Sequence, residues 1–268
     1  MEASVRGKAK GLAVLQVDQQ CSRQCLGGQV KLVDQLLLPA FGADAREAER
    51  NRTRAALALQ AKHRMLVIAP LASFTQEHFD AMARQLKIGG FHGIPMTFMQ
   101  NGLWDSTVRR FPNAIAAWRG GRGPVAIAQV ELRQGGKGVY AFVIDMALMS
   151  ITAEFFPVES SYERIVADFL VMQGRSFMKP LCYQASTDLV LPDFILTDTL
   201  REVPMEVFGR DDARYLQRKE EKSAHYDEQY GKSGWWIWDA ASHGGNVSNV
   251  PSFPPARGSS GKYGDKAD

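Results

Sequence analysis

The chain is poor in cysteine, with three among 268 residues. An odd and sparse set builds no disulfide framework, and the easier setting is a reducing cytoplasm. Cys21 and Cys25 in CSRQC stand one helical turn apart, but a structural zinc site takes four ligands and no histidine lies near them in sequence. Cys182 reads as a packed thiol. Strong charge of one sign is missing too: a formal +3 permits a nucleic-acid partner without arguing for one. Long apolar runs are absent. The greasiest stretch, YAFVIDMALMSITAEFF, is interrupted by Asp145 and Glu154 and falls short of the roughly 18 residues of a membrane span. MEASVRGKAKG is too polar for a signal peptide. Neither H-E-x-x-H, G-x-S-x-G nor a strand-borne G-x-G-x-x-G occurs. GKSG at 231–234 lacks the earlier P-loop glycine, where Tyr226 stands instead.

What remains is ordinary globular material, 45% hydrophobic and 23% charged. Residues 1–42 show no sustained period. Residues 43–154 read as a mixed α/β domain: a helix over 43–63, a strand at MLVIAPL, a helix over 73–90 capped by Ser73 or Thr75, a strand at IPMTFM and a helix at LWDSTVRRF. PVAIAQVEL and GVYAFVIDM flank RQGGKG as a hairpin. Residues 155–244 read as helix (PVESSYERIVADFLVMQG), strand (FMKPLCY), two proline-led strands, a long helix from Asp211 or Asp212 to Gly231, and a last strand, GWWIWDA. The order is α-β-β-β-α-β, and the fold class is α+β. Residues 245–268 carry Pro, Gly and Ser without a core and are expected to be disordered.

The proline-led runs, LPDFIL and VPMEVF, each carry an acid where an apolar side chain belongs. Proline sits at strand starts and edges, so Asp193–Leu196 and Met205–Phe208 are the expected strands. A hairpin folded about Thr199-Leu200 pairs residues whose numbers sum to 399 and sets Asp193 opposite Glu206. Like charges facing each other need a cation or a proton, and hard oxygen ligands suit Mg²⁺ or Mn²⁺. The plainer alternative points one or both acids to solvent from an edge strand.

PDF at 192–194 and MEVFG at 205–209, within an α-β-β-β-α-β order over residues 158–240, resemble the PD-(D/E)XK nuclease superfamily, which includes restriction endonucleases. The lysine of that motif belongs two positions after Glu206, where Phe208 stands. A variant pattern carries it on the following helix, and EVFG followed by Tyr215, Arg218, Lys222 and Tyr226 is similar to that pattern. Tyr215, Lys222 and Tyr226 share one helical face. The resemblance implies a Mg²⁺ (or Mn²⁺) site of Asp193, Glu206 and the Val207 carbonyl. It assigns Lys222 to catalysis and Tyr215, Arg218 and Tyr226 to substrate; Lys219 joins them as a member of the basic run at 214–222, which could touch phosphates although it alternates with Glu220 and Glu221. The alternative for Lys222 is a solvated member of RKEEK. Glu163 matches an acid on the first helix that joins the metal, and equally the last residue of a capping box opened by Ser160.

RSFMKPLCY, LPDFILTDT and ALMSITAEFFPVESSYE also look like an uncharacterised bacterial family of integrative elements. Its members carry a longer cysteine-bearing N-terminal region, so a truncated or divergent member is expected. The function implied is metal-dependent hydrolysis of DNA. The alternative is a catalytically inactive nuclease-like fold that binds nucleic acid or serves assembly. Trp235, Trp236 and Trp238 could stack on bases, but at strand spacing they read as core.

Overall fold

The structure, a computed structural model, describes residues 25–26, 30–31, 36–37, 45–89, 96–136, 138–180, 190–242 and 246–258. The side chains of Cys21, Cys25 and Cys182 lie outside that set. The class is α+β, as expected, with two mixed sheets. The chain divides into two units between Glu159 and Ser160.

In the first unit, β1 (Cys25–Leu26) and β2 (Val30–Lys31) form a small antiparallel pair. Strand β3 (Leu36–Leu37) runs parallel to β4 (Arg64–Pro70), which follows helix α1 (Ala45–Ala61). Next come α2 (Gln76–Ala81), β5 (Thr97–Met99), α3 (Leu103–Arg110), α4 (Pro112–Arg119), β6 (Val125–Gly135) and β7 (Gly138–Met149). The sheet order is β3-β4-β6-β7-β5. Met65, Val67 and Ala69 alternate with less buried neighbours, and Ala126, Ala128, Val130, Ala141 and Val143 join them on one face. Ala55 and Ala58 of α1, Trp104 of α3 and Trp118 of α4 close over that face as the core.

One local expectation needs correction. The helix over 73–90 shrinks to α2, capped by Thr75 alone, because the following chain turns to pair with β5: Leu86 N–H donates to the Thr97 carbonyl at 3.0 Å, and Met99 N–H to Arg84 at 2.9 Å. The helix at LWDSTVRRF ends before Pro112, as expected, and Pro112 opens α4, a position where its missing N–H costs nothing.

The second unit runs α5 (Ser161–Met172), β8 (Phe177–Met178), β9 (Phe194–Leu196), β10 (Val203–Phe208), α6 (Ala213–Tyr230) and β11 (Trp236–Asp239). This is the α-β-β-β-α-β order read from the sequence. The sheet order is β11-β10-β9-β8, with β10 parallel to β11 and antiparallel to β9. Val166, Ala167 and Leu170 of α5 and Phe194, Leu196, Met205, Trp236 and Trp238 of the sheet are buried. Trp235 stacks on Tyr226, so the tryptophans serve packing.

The segment expected to be disordered has a defined course over 246–258. Phe253 packs against Trp236, Trp236 Nε1–H donates to the Ser252 carbonyl, and Arg257 N–H donates to the Asp198 carbonyl at 2.6 Å. Aromatic contacts anchor a stretch whose overall composition carries no core. Residues 259–268 lie outside the described set.

Candidate functional site

Met205 pairs with Phe194, Pro204 with Ile195 and Val203 with Leu196, so every pair sums to 399. Continuing that register by one residue sets Asp193 beside Glu206. The backbone holds the step: Asp193 N–H donates to the Met205 carbonyl at 3.0 Å, and Asp193 Oδ2 accepts from Val207 N–H at 2.7 Å. Thr199-Leu200 is not a tight turn. Asp198 stiffens the wider loop, accepting both guanidinium bonds of Arg175 at 2.8 Å. In an extended strand the N–H and C=O of one residue face the same neighbour. The Val207 carbonyl thus shares the side that Asp193 occupies.

Helix α6 starts where Asp212 caps Tyr215 N–H and stops at Gly231, whose φ of 75° suits glycine. Its inner face carries Tyr215, Lys222 and Tyr226. Lys222 Nζ lies 2.9 Å from both oxygens of Glu206 and 3.2 Å from the Leu191 carbonyl. Tyr226 donates to Glu206 Oε1 at 2.8 Å. Glu206 is only 1% exposed, so the plain reading of a solvent-facing acid fails there, and so does that of Lys222 as a purely solvated member of its charge run. The Tyr215 hydroxyl accepts from Gly209 N–H at 3.4 Å. Lys219 instead pairs with Asp239 at the end of β11, and Arg218 is exposed on the outer side of the helix. Neither joins the acids.

Glu163 shows the Ser160 side of the capping box. Its N–H is capped by Ser160 Oγ at 3.1 Å, but its carboxylate is buried and meets Lys179 Nζ at 2.8 Å. Lys179 was not singled out in the sequence. Its signal was there: a lysine inside the apolar run FMKP is the same anomaly as Asp193 and Glu206. Its amine also lies over the Phe194 ring, 4.8 Å from the ring centre, a cation–π contact.

Comparison with family models matches residues 6–241 to a protein of unknown function, DUF1173. The chain belongs to that family. Comparison with curated proteins finds no match.

The electrostatics of this DUF1173 site follow from its counts. Asp193, Glu206 and Glu163 are three acids against two amines, Lys179 and Lys222. Asp193 carries the imbalance. Burial, then Glu206 and Glu163, push its carboxyl up to about 7, against the pull of Lys179 and the Val207 N–H. Burial also raises Glu206, opposed by Lys222 and Tyr226. Tyr226 is pushed up by burial and by the Glu206 charge it bonds. Among the described residues no three His, Cys, Asp or Glu side chains converge at metal-binding spacing. Magnesium, however, is commonly held through one or two carboxylates and keeps several waters. Asp193, Glu206 and the Val207 carbonyl could supply a donor set of that kind.

Proposed function

We propose that the unit beginning at Ser160 hydrolyses phosphodiester bonds of DNA with the help of a divalent ion. The carrying observation is the pairing of Asp193 with Glu206 across a hairpin while Lys222 arrives from the next helix. Asp193, Glu206 and the Val207 carbonyl would hold Mg²⁺ or Mn²⁺, with Glu163 behind them. A bound ion of this type supplies an acidified water and charge neutralisation at the phosphoryl oxygens. Lys222, held within hydrogen-bond reach of Glu206, orients the attacking water and offsets negative charge developing on the phosphate. Tyr226 locks the Glu206 rotamer. Lys179 adds a second positive charge and holds Glu163 in place.

Incubating purified protein with plasmid and Mg²⁺, beside Asp193→Ala, tests this reading. Cleavage by the wild type and none by the variant is expected; equal degradation by both removes the enzymatic claim.

A second reading has its own observation. Both oxygens of Glu206 are engaged by Lys222, and Glu163 by Lys179, as in a charge network that has become structural. A noncatalytic nucleic-acid-binding or assembly module, of the kind integrative elements carry, would then bind DNA without cutting it. Wild type and Asp193→Ala would retain DNA equally and leave plasmid intact.

A further inference from the structure

The open face of the five-stranded sheet carries a second chemistry. One face is sealed by helices around Val67, Ala128 and Val143. The opposite face holds Phe98, Phe142, Tyr140 and Arg133, because Phe98 pairs with Phe142 and Arg133 with Tyr140 while Tyr140 and Phe142 stand two apart. The Phe98 ring meets Tyr140 edge-on at 5.5 Å and is 38% exposed. The Arg133 guanidinium lies 4.0 Å from the centre of the Phe142 ring. Arg84 and Asn101 complete a concavity of about 380 Å³ that no carboxylate lines. Glu131 beside it is shared by Arg64 and Arg133, each at 3.2 Å. Three guanidiniums therefore stand against one carboxylate around an aromatic row.

We propose that this sheet face binds single-stranded nucleic acid, with bases stacking on Phe98 and Tyr140 and phosphates held by Arg84 and Arg133. Exposed aromatic rings give each base a flat partner regardless of its identity, and arginines track the backbone. A purely apolar occupant leaves Arg84 and Asn101 unanswered, and a folded acidic surface cannot slip a flat group over Phe98. A strand supplies both the π-face and the anion in one repeating unit. The site is independent of any cleavage at Asp193 and Glu206.

Fluorescence anisotropy of a labelled oligothymidylate of about ten nucleotides, with the full chain in EDTA, is the test. Glu206→Gln is included in every protein so that cleavage does not intrude. Phe98→Ala is expected to weaken binding about tenfold, the scale of one lost stack. Arg84→Gln is expected to reduce the salt-dependence slope by about one. Tyr140→Phe, which keeps the ring, should bind as the parent does. Ultraviolet cross-links should map to the peptides bearing Phe98 or Tyr140. Unchanged binding in both Phe98→Ala and Arg84→Gln overturns the proposal. So do cross-links confined to residues 160–258, or thymidine monophosphate competing as well, per nucleotide, as the strand.

Discussion

Lys222 reaches across from its helix to place its amine 2.9 Å from each oxygen of Glu206, a carboxylate otherwise closed off from water. The amine is the principal compensation for that buried charge, with Tyr226 as the second donor.

Lys222→Met should therefore destabilise the fold by about 1–3 kcal/mol, the cost of leaving a buried polar group short of a partner. Tyr226 keeps the loss at the lower end. Adding Glu206→Gln to Lys222→Met should recover part of the loss, since the neutral amide tolerates the missing amine. Urea unfolding of the two single variants and the double variant measures this coupling, and strict additivity would show that the pair does not interact.

Asp193 makes stability depend on pH in a defined direction. Its folded carboxyl titrates at about 7, while an unfolded aspartate titrates near 4. Between those values the folded state holds a proton that the unfolded state has released. Stability should fall as pH rises from about 4 to about 7, with a slope for this group of up to about 1.4 kcal/mol per pH unit. Asp193→Asn should flatten that component. Added Mg²⁺ should raise the unfolding midpoint at pH 8 in the wild type and not in the variant. Urea titrations at pH 5 and pH 8 read both effects.

Asp198 should act oppositely and at lower pH. Its two bonds to Arg175, aided by the Ser176 N–H, hold its carboxyl below the usual range. That stability is complete above the ordinary carboxylate range and is lost as pH falls through the depressed value. Asp198→Ala leaves Arg175, 9% exposed in its side chain, without its carboxylate and should cost about 2–4 kcal/mol. A variant unfolding like the wild type at pH 7 would mean that the loop contributes nothing.

Gly234 is the sharpest steric prediction. A Cβ there would collide with the Tyr230 carbonyl oxygen, where the chain leaves α6 and turns into β11. Gly234→Ala should destabilise by roughly 1–3 kcal/mol or more, because backbone must move. Thermal unfolding against Gly136→Ala, at a position with open space, is the internal control.

Much of the second unit was legible because its anomalies were local. Acids after prolines in apolar runs marked β9 and β10, and symmetric folding of the intervening loop put them in register. The 7 and 4 spacing on α6 placed Tyr215, Lys222 and Tyr226 on the inner face. Arg218 and Lys219 illustrate the limit. They sit in the same charge run as Lys222, but the helix turn carries Arg218 outward and delivers Lys219 to Asp239. Lys179 carries the same local anomaly, a charge in an apolar run, but no motif spacing ties it to its partner, Glu163, on another element.

Periodicity, proline and glycine positions and residue chemistry determined the order of elements, the hairpin pairing and which acids were out of place. These are properties of neighbouring residues and can be read along the chain. The tertiary structure alone decided which charges compensate which, that Asp193 is left with the surplus, and that 246–258 folds back onto β11 and the hairpin loop. Those outcomes depend on burial and on distances between segments remote in sequence, and local spacing does not encode either.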